Sequence, residues 1–238
     1  MSEINSDSFW QRANWSLRDM VWASLTALLL IVVGAVFIGI VVAVLGVAAG
    51  TMLDTRLLAL AIFALEAVLI IPAWIWGPRK YGGGWQSLGL RPAPFFKSAA
   101  LVIGGLAVVL VVNVVWNVIR EQLGLEDQPD VLPFFGGGVG GLLLALLLGA
   151  VVAPVAEEIF FRGFLYAGMR NRWGVGWGLV VSSVVFALVH VTPGVLPAIF
   201  AIGLVLAYLY ERTESLWPSI ILHALVNALA FLGAYFTS

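Results

Sequence analysis

The chain has 238 residues, 62% of them hydrophobic and 11% charged, with a mean hydropathy of +1.05. Several apolar runs approach the roughly 20 residues a helix needs to cross a bilayer core, so the composition excludes a water-soluble fold and predicts an all-α polytopic membrane protein. The net charge of −1 offers nothing to nucleic acid, and the absence of cysteine removes disulfides, thiolate metal ligands and a cysteine nucleophile.

Residues 1–20 are polar, carry Arg12 and Arg18, and lack the short apolar core and small-residue cleavage site of a signal peptide. They read as a polar N-terminal segment ahead of a single transmembrane helical domain over 21–238. The apolar runs of that domain are 21–50, 57–77, 97–119, 139–168, 177–190, 195–210 and 216–236, or about seven membrane segments. The strand-length alternation of a β-barrel is absent. Arg12 and Arg18, the group Arg79, Lys80, Arg91 and Lys97, and the pair Arg170 and Arg172 all fall on one side if the N-terminus is cytoplasmic, which leaves the acidic loop 121–130 outside.

Polar residues in the early runs have ordinary explanations. Glu66, in the second run, is a functional candidate by position but is also explained by protonation or a bond to a neighbour. Asn113 and Asn117, at i and i+4 in the third run, are expected to bond between helices. Tryptophans near run ends, such as Trp76 and Trp217, read as interfacial anchors.

The fourth run leads into APVAEEIFFRGFLYAGMRNRWG, residues 153–174, which sets Glu157, Glu158 and Arg162 inside an apolar helix. Glu157 lies about 13 residues, or roughly 20 Å, before Arg170, and so within the hydrocarbon layer. An acid at a helix centre costs about 2.5–3.5 kcal/mol on insertion scales, and such residues face a cavity or a partner. Glu158 and Arg162 stand at i and i+4 with the acid first, the favourable order for an ion pair. Glu157 is turned about 100° away and has Phe161 at i+4, so it is the acid without a basic partner. Burial penalises its charged form, a setting suited to a general acid–base. Pro154 removes the bond to the Ala150 carbonyl and is expected to kink the helix beside the acids. Taken alone, these residues are explained as well by a salt bridge that pins the helix beside a protonated glutamate.

The two histidines shift that balance, because both lie in apolar runs. His190 ends SSVVFALVH, one turn after Phe186; the segment is short and VTPG follows, so the helix is expected to stop at mid-membrane beside a polar cavity. His223 opens HALVN and shares a face with Asn227. His190 lies about 20 Å along the helix from Trp177 and His223 about 14 Å from Glu214, which brings both to the level of Glu157. Polar groups spread over three segments each need a partner in the membrane, and one shared site meets that need.

EEIFFR (Glu157, Glu158, Arg162), FALVH (Phe186, His190) and HALVN (His223, Asn227) resemble the EExxxR, FxxxH and HxxxN motifs of the CAAX protease and bacteriocin-processing family, also called CPBP or Abi. That family includes the type II CAAX prenyl endopeptidases. The resemblance covers about 154–230, and GWQSLGLRP before the third run looks like a loop often seen in these proteins. It implies an intramembrane endopeptidase acting on a membrane-tethered peptide or protein, with a prenylated CAAX peptide among the candidates. Glu157 would be the general base, with His190, on the attacking water; His223 and Asn227 would bond the oxyanion, and Glu158 and Arg162 would orient the site. Geometry leaves the two glutamates exchangeable. No motif position departs from the family pattern, although the family also admits non-catalytic immunity or regulatory members.

This chemistry needs no cofactor. The alternative is zinc on His190, His223 and Glu157, a His₂Glu set with an open fourth position. The HExxH helix pattern is absent and neither histidine shares a helix with the glutamates, so the metal-free mechanism is preferred. A transporter or channel is disfavoured by the lack of inverted repeats and by the concentration of polar groups in the C-terminal half.

Overall fold

The computed structural model describes residues 9–49 and 55–237; residues 1–8 of the N-terminal segment, Gly50 at the end of the first run and the terminal Ser238 lie outside the described residues. Every regular element among them is helical, as hydrocarbon demands of a chain that must bond its backbone within each segment. The α-helices are α1 (Leu17–Ala49), α2 (Thr55–Ala67), α3 (Ile70–Trp74), α4 (Phe95–Gln122), α5 (Gly138–Leu147), α6 (Ala153–Glu157), α7 (Ala167–Leu188), α8 (Leu196–Thr213) and α9 (Leu216–Thr237).

Among the described residues, 6 helical stretches are long and apolar enough to cross a membrane. The number expected was about seven, and the difference lies at one residue. The stretch Gly138–Leu188 runs for 51 residues, but Gly174 takes φ 81° and ψ 171° and breaks its path. Lacking a Cβ, glycine adopts that backbone without strain. The runs 139–168 and 177–190 are therefore separate segments on either side of it.

The stretches divide into a lipid-facing shell and an inner helix. None of the most apolar window of α1 is buried inside the protein, against 50% of the window in Gly138–Leu188 and 44% of that in Pro193–Thr213. The inner helix is irregular where it matters. Pro154 has no N–H to give the Ala150 carbonyl and its ring crowds that oxygen. The helix passes this point by widening to i→i+5 turns over Leu148–Val152, and it widens again over Glu158–Tyr166. Such widened turns place side chains in directions a regular helix cannot, and they occur frequently at functional sites.

The stretch before α1 folds back into the protein. Phe9, Trp10, Ala13 and Trp15 are buried. Asn171 donates to the carbonyls of Trp10 and Ala13 at 2.6 and 2.9 Å, and the Trp15 indole donates to the Phe164 carbonyl at 2.8 Å. These two tryptophans are thus core residues rather than interfacial anchors: the widened helix presents an acceptor for the buried Trp15 indole N–H, and the Trp10 ring packs edge-on against Tyr166 and Tyr210. Trp217 and Trp177 stay exposed on the outer surface. Asn113 and Asn117, expected to bond between helices, make no hydrogen bond among the described residues, and Asn117 faces outward.

The loop GWQSLGLRP braces the inner helix from one end. Leu88 is fully buried, and a Cβ on Gly163 would lie 2.6 Å from its carbonyl oxygen. The Gly89 carbonyl accepts the N–H of Leu216 at 2.9 Å, and the Arg91 carbonyl accepts the Ser215 hydroxyl at 2.6 Å. The loop therefore fixes where α9 begins, and with it the depth of His223. Gly89 has φ +87°, and a Cβ there would lie 2.4 Å from the Tyr210 ring. Gly89→Ala is expected to lower the unfolding midpoint in detergent by an amount equivalent to about 1–3 kcal/mol. Gly104→Ala, where an added Cβ meets nothing within 4 Å, should leave the midpoint unchanged.

Candidate active site

The change from regular to widened helix falls between the two glutamates: α6 ends at Glu157 and the wide turns begin at Glu158. Their side chains consequently part. All residues of Glu158–Tyr166 are buried, with Glu158 at 0% and Arg162 at 1% exposure. A guanidinium so enclosed is tolerable only if its charge and N–H groups are met. Arg162 Nη1 donates to Glu158 Oε1 at 2.8 Å, Nη2 donates to the Gly203 carbonyl at 3.3 Å, and the guanidinium carbon lies 4.0 Å from the Phe186 ring centroid. A carboxylate, a carbonyl and an aromatic face together replace water around it.

Glu158 also holds a histidine. His223, buried on α9, places Nδ1 2.9 Å from the same Oε1 that accepts from Arg162. An oxygen engaged by a guanidinium acts as an acceptor, so His223 Nδ1 carries a proton and donates it. Nε2 of the same ring faces Glu157 Oε2 at 3.8 Å. The separation exceeds a direct hydrogen bond. Glu157 Oε2 and Glu158 Oε2 are both buried without a hydrogen-bond partner.

His190 packs against the Phe186 ring as well. Helix α7 stops at Leu188, Val191 takes φ 50°, and the chain turns through Pro193–Val195 into α8. His190 Nδ1 lies 2.9 Å from the Phe186 carbonyl. A carbonyl can only accept, so this nitrogen too carries the proton. The Phe186 ring packs edge-on against His190 at 4.9 Å, His223 at 5.8 Å and Phe161 at 5.2 Å. It is the wall on which both imidazoles and the guanidinium converge. Among the described residues, His190 makes no hydrogen bond or ion pair to either glutamate; the imidazole beside Glu157 is that of His223. Asn227, one turn beyond His223, donates to the Gly149 carbonyl at 2.9 Å.

Among the described residues, no group of three or more His, Cys, Asp or Glu side chains is arranged to hold a metal ion. Of the His190, His223 and Glu157 set, both histidines pack against the Phe186 ring and His223 Nε2 lies 3.8 Å from Glu157 Oε2.

Three contributors carry little signal in the sequence alone. Phe186 has a motif position but no polar chemistry, and its role as a shared wall appears only when α7, α9 and the inner helix meet. Gly149 and Gly203 contribute carbonyls. A Cβ on the first would lie 2.5 Å from Phe231, and on the second 3.0 Å from Ser183. A glycine inside an apolar helix marks such close backbone approach, and that is the one clue to both.

Residues 139–229 match the family model described as type II CAAX prenyl endopeptidase Rce1-like. A Bacillus subtilis (strain 168) protein named "Putative membrane peptidase YdiL" is 31% identical over 84 residues, covering 35% of this chain and 34% of that protein. An Escherichia coli protein named "Uncharacterized 24.3 kDa protein" is 26% identical over 137 residues, 55% of this chain and 62% of that protein. The Lactococcus lactis subsp. lactis (strain IL1403) UPF0177 protein YaiH is 35% identical over 81 residues, 34% of this chain and 33% of that protein. The matched stretches thus span about a third to three-fifths of these relatives. No solved structure matches the chain. The stretch 139–229, which holds Glu157, Glu158, Arg162, His190, His223 and Asn227, matches the Rce1-like family as the three motifs imply.

Proposed function

We propose that this protein is an intramembrane endopeptidase that hydrolyses a peptide bond of a membrane-associated substrate with water activated by Glu157. The observation that supports it is the approach of Glu157 Oε2 to within 3.8 Å of His223 Nε2, with Glu158 securing the opposite nitrogen of that imidazole. In this reading the imidazole is neutral, so two acceptors face each other across the gap and one water satisfies both; a water so held loses a proton readily to the carboxylate.

In the reaction, Glu157 takes a proton from the water as its oxygen attacks the scissile carbonyl carbon. The tetrahedral oxyanion then collapses, the C–N bond breaks, and the proton held by Glu157 passes to the leaving amine. Asn227 keeps a second N–H beyond the one given to Gly149, and we assign it to the oxyanion. His223 takes the water-activating place that the family resemblance gives to His190. His190, with its Nε2 free beside Phe186, serves as the second proton-transfer group. Arg162 and Glu158 fix the His223 tautomer and do not touch the substrate.

Substrates in this reading are membrane-tethered peptides or proteins, with a prenylated CAAX-type peptide as the first to try. The N-terminus is cytoplasmic in the same reading. The chain has no cysteine, so single cysteines report sidedness cleanly: Arg12→Cys should react with an impermeant thiol reagent only after permeabilisation, and Glu121→Cys without it.

Incubating purified protein in detergent with prenylated and unprenylated peptides, read by mass spectrometry, tests the activity. Glu157→Gln should lower turnover by about 10²–10⁴-fold while the protein still inserts and keeps its unfolding midpoint. His223→Ala should lose a similar amount, and the double variant little more, because the two act as one unit. Glu157→Gln with unchanged turnover, or with a cellular phenotype intact, would transfer the protein to the non-catalytic members.

A chelator should leave the rate unchanged. Loss of the rate and its recovery on adding Zn²⁺ would instead place a metal on His190, His223 and Glu157.

A further inference from the structure

The end of the bundle where α1 begins and the inner helix stops carries an excess of positive charge. Each acid described there is held by a basic side chain: Asp19 by Lys80, Glu211 by Arg170 and Glu214 by Arg91. Arg12, Arg18, Arg79, Lys97, Arg172 and Arg212 are exposed, and none of them makes an ion pair among the described residues.

A cleft of about 530 Å³ opens among these cations, lined by Trp10, Gln11, Asn14, Arg170 and Asn171. One wall is the segment folded back ahead of α1, and the other is the stretch just after the widened turns of the inner helix. Asn171 ties the two together by donating to the Trp10 and Ala13 carbonyls. Arg170 lies 4.4 Å from the Trp10 ring centroid and gives Nε and Nη2 to Glu211, each at 3.2 Å, which leaves Nη1 for a further acceptor. The Gln11 and Asn14 side chains are exposed and make no hydrogen bond among the described residues. Arg12 follows Gln11 and Arg172 follows Asn171, so an unpaired guanidinium flanks each wall. Among the described residues, no carboxylate lines the cleft.

Guanidinium groups bind phosphate oxygens through paired N–H donors, and the two free amides add donors and acceptors for hydroxyl groups. The surroundings narrow the source of the phosphate. Leu17 and Trp173, three and two positions beyond Asn14 and Asn171, are exposed, and exposed apolar residues continue along α1 through Val21 and Leu25. In a helix that crosses a bilayer such a surface faces hydrocarbon, so a ligand seated here meets cations at one end and acyl chains at the other. A phospholipid has both parts, whereas a soluble anion or an acidic peptide uses only the first.

We propose that this cleft binds the headgroup of an anionic phospholipid, with the phosphate on Arg170, Arg12 and Arg172, headgroup hydroxyls on Gln11 and Asn14, and the acyl chains along α1. The site is separate from Glu157 and His223 and does not depend on the peptidase reading. It gives the folded-back segment a lipid partner on its open side, as Phe164 and Asn171 hold its inner side.

Native mass spectrometry of the full-length protein in detergent tests this, with phosphatidylglycerol and phosphatidylcholine of the same chain length as probes. Wild type should retain one phosphatidylglycerol about tenfold more tightly than phosphatidylcholine, and its unfolding midpoint should rise with the first lipid alone. Gln11→Glu combined with Asn14→Asp puts two carboxylates at exposed positions; it should lower phosphatidylglycerol affinity by about tenfold or more and leave the lipid-free midpoint unchanged. Arg12→Gln with Arg172→Gln should cost a similar factor, and Arg79→Gln with Arg212→Gln, outside the cleft, less than about twofold. Equal retention of the two lipids, or equal loss from the two arginine pairs, would overturn the proposal and leave only the general attraction of a basic face. Inorganic phosphate at the same concentration should not raise the midpoint. Stabilisation by phosphate equal to that by phosphatidylglycerol would assign the cleft to a free anion, and displacement of the lipid by equimolar polyglutamate would assign it to an acidic protein partner. If the Gln11 and Asn14 variant does not fold, the comparison of the two arginine pairs decides.

Discussion

Arg162 is enclosed on every side, and the arrangement of the site follows from keeping its charge satisfied. A guanidinium stripped of water needs an anion close by, acceptors for its remaining N–H groups and a polarisable surface. Glu158 supplies the first at 2.8 Å, Gly203 a carbonyl and Phe186 an aromatic face. Removing one partner from such a buried pair costs about 3–5 kcal/mol, since the other charge is left unpaired. Each of those partners has a second task. Glu158 holds His223 by Nδ1, and Phe186 contacts both imidazoles. The requirement to neutralise one cation thus draws α7, α8 and α9 onto the inner helix and orients the histidine beside Glu157.

The inner helix can host this because it is not a regular α-helix. Pro154 prevents one backbone bond, and the surrounding turns widen in response. A second widened stretch starts at Glu158, so the adjacent acids leave the backbone under different local geometry. One is committed to an ion pair and the other turns toward His223. Widening shifts carbonyls off the ladder, and the Trp15 indole meets that of Phe164 from a segment that precedes the first span. The fold accordingly extends well beyond the motif-bearing stretch: the residues just before α1 and the loop at Leu88–Arg91 hold the inner helix and the start of α9 in place.

The Rce1-like match and the physical reading rest on different grounds and fall on the same stretch of the chain. The match covers 139–229, whereas the geometry adds what no motif contains, namely which histidine neighbours which glutamate and which aromatic ring touches both imidazoles. A motif fixes residue types at spacings along one helix. It is silent on which face of that helix meets which neighbour.

Apolar run length by itself determined the all-α membrane fold, because hydrocarbon permits only internally bonded backbone and a crossing needs about 20 residues. Helical spacing likewise determined that Glu158 and Arg162 could pair and that Glu157 had no basic partner at i+4, since i and i+4 meet on any helix. The sequence could not separate the buried role of Trp10 and Trp15 from the interfacial role of Trp217, because an indole suits either place and only an acceptor such as the Phe164 carbonyl decides. It could not foresee the break at Gly174 in place of a loop or the pairing of His223 rather than His190 with Glu157. Those belong to tertiary structure: they depend on the rotation and depth of separate helices against one another, which packing and the satisfaction of one buried charge settle and which no local spacing encodes.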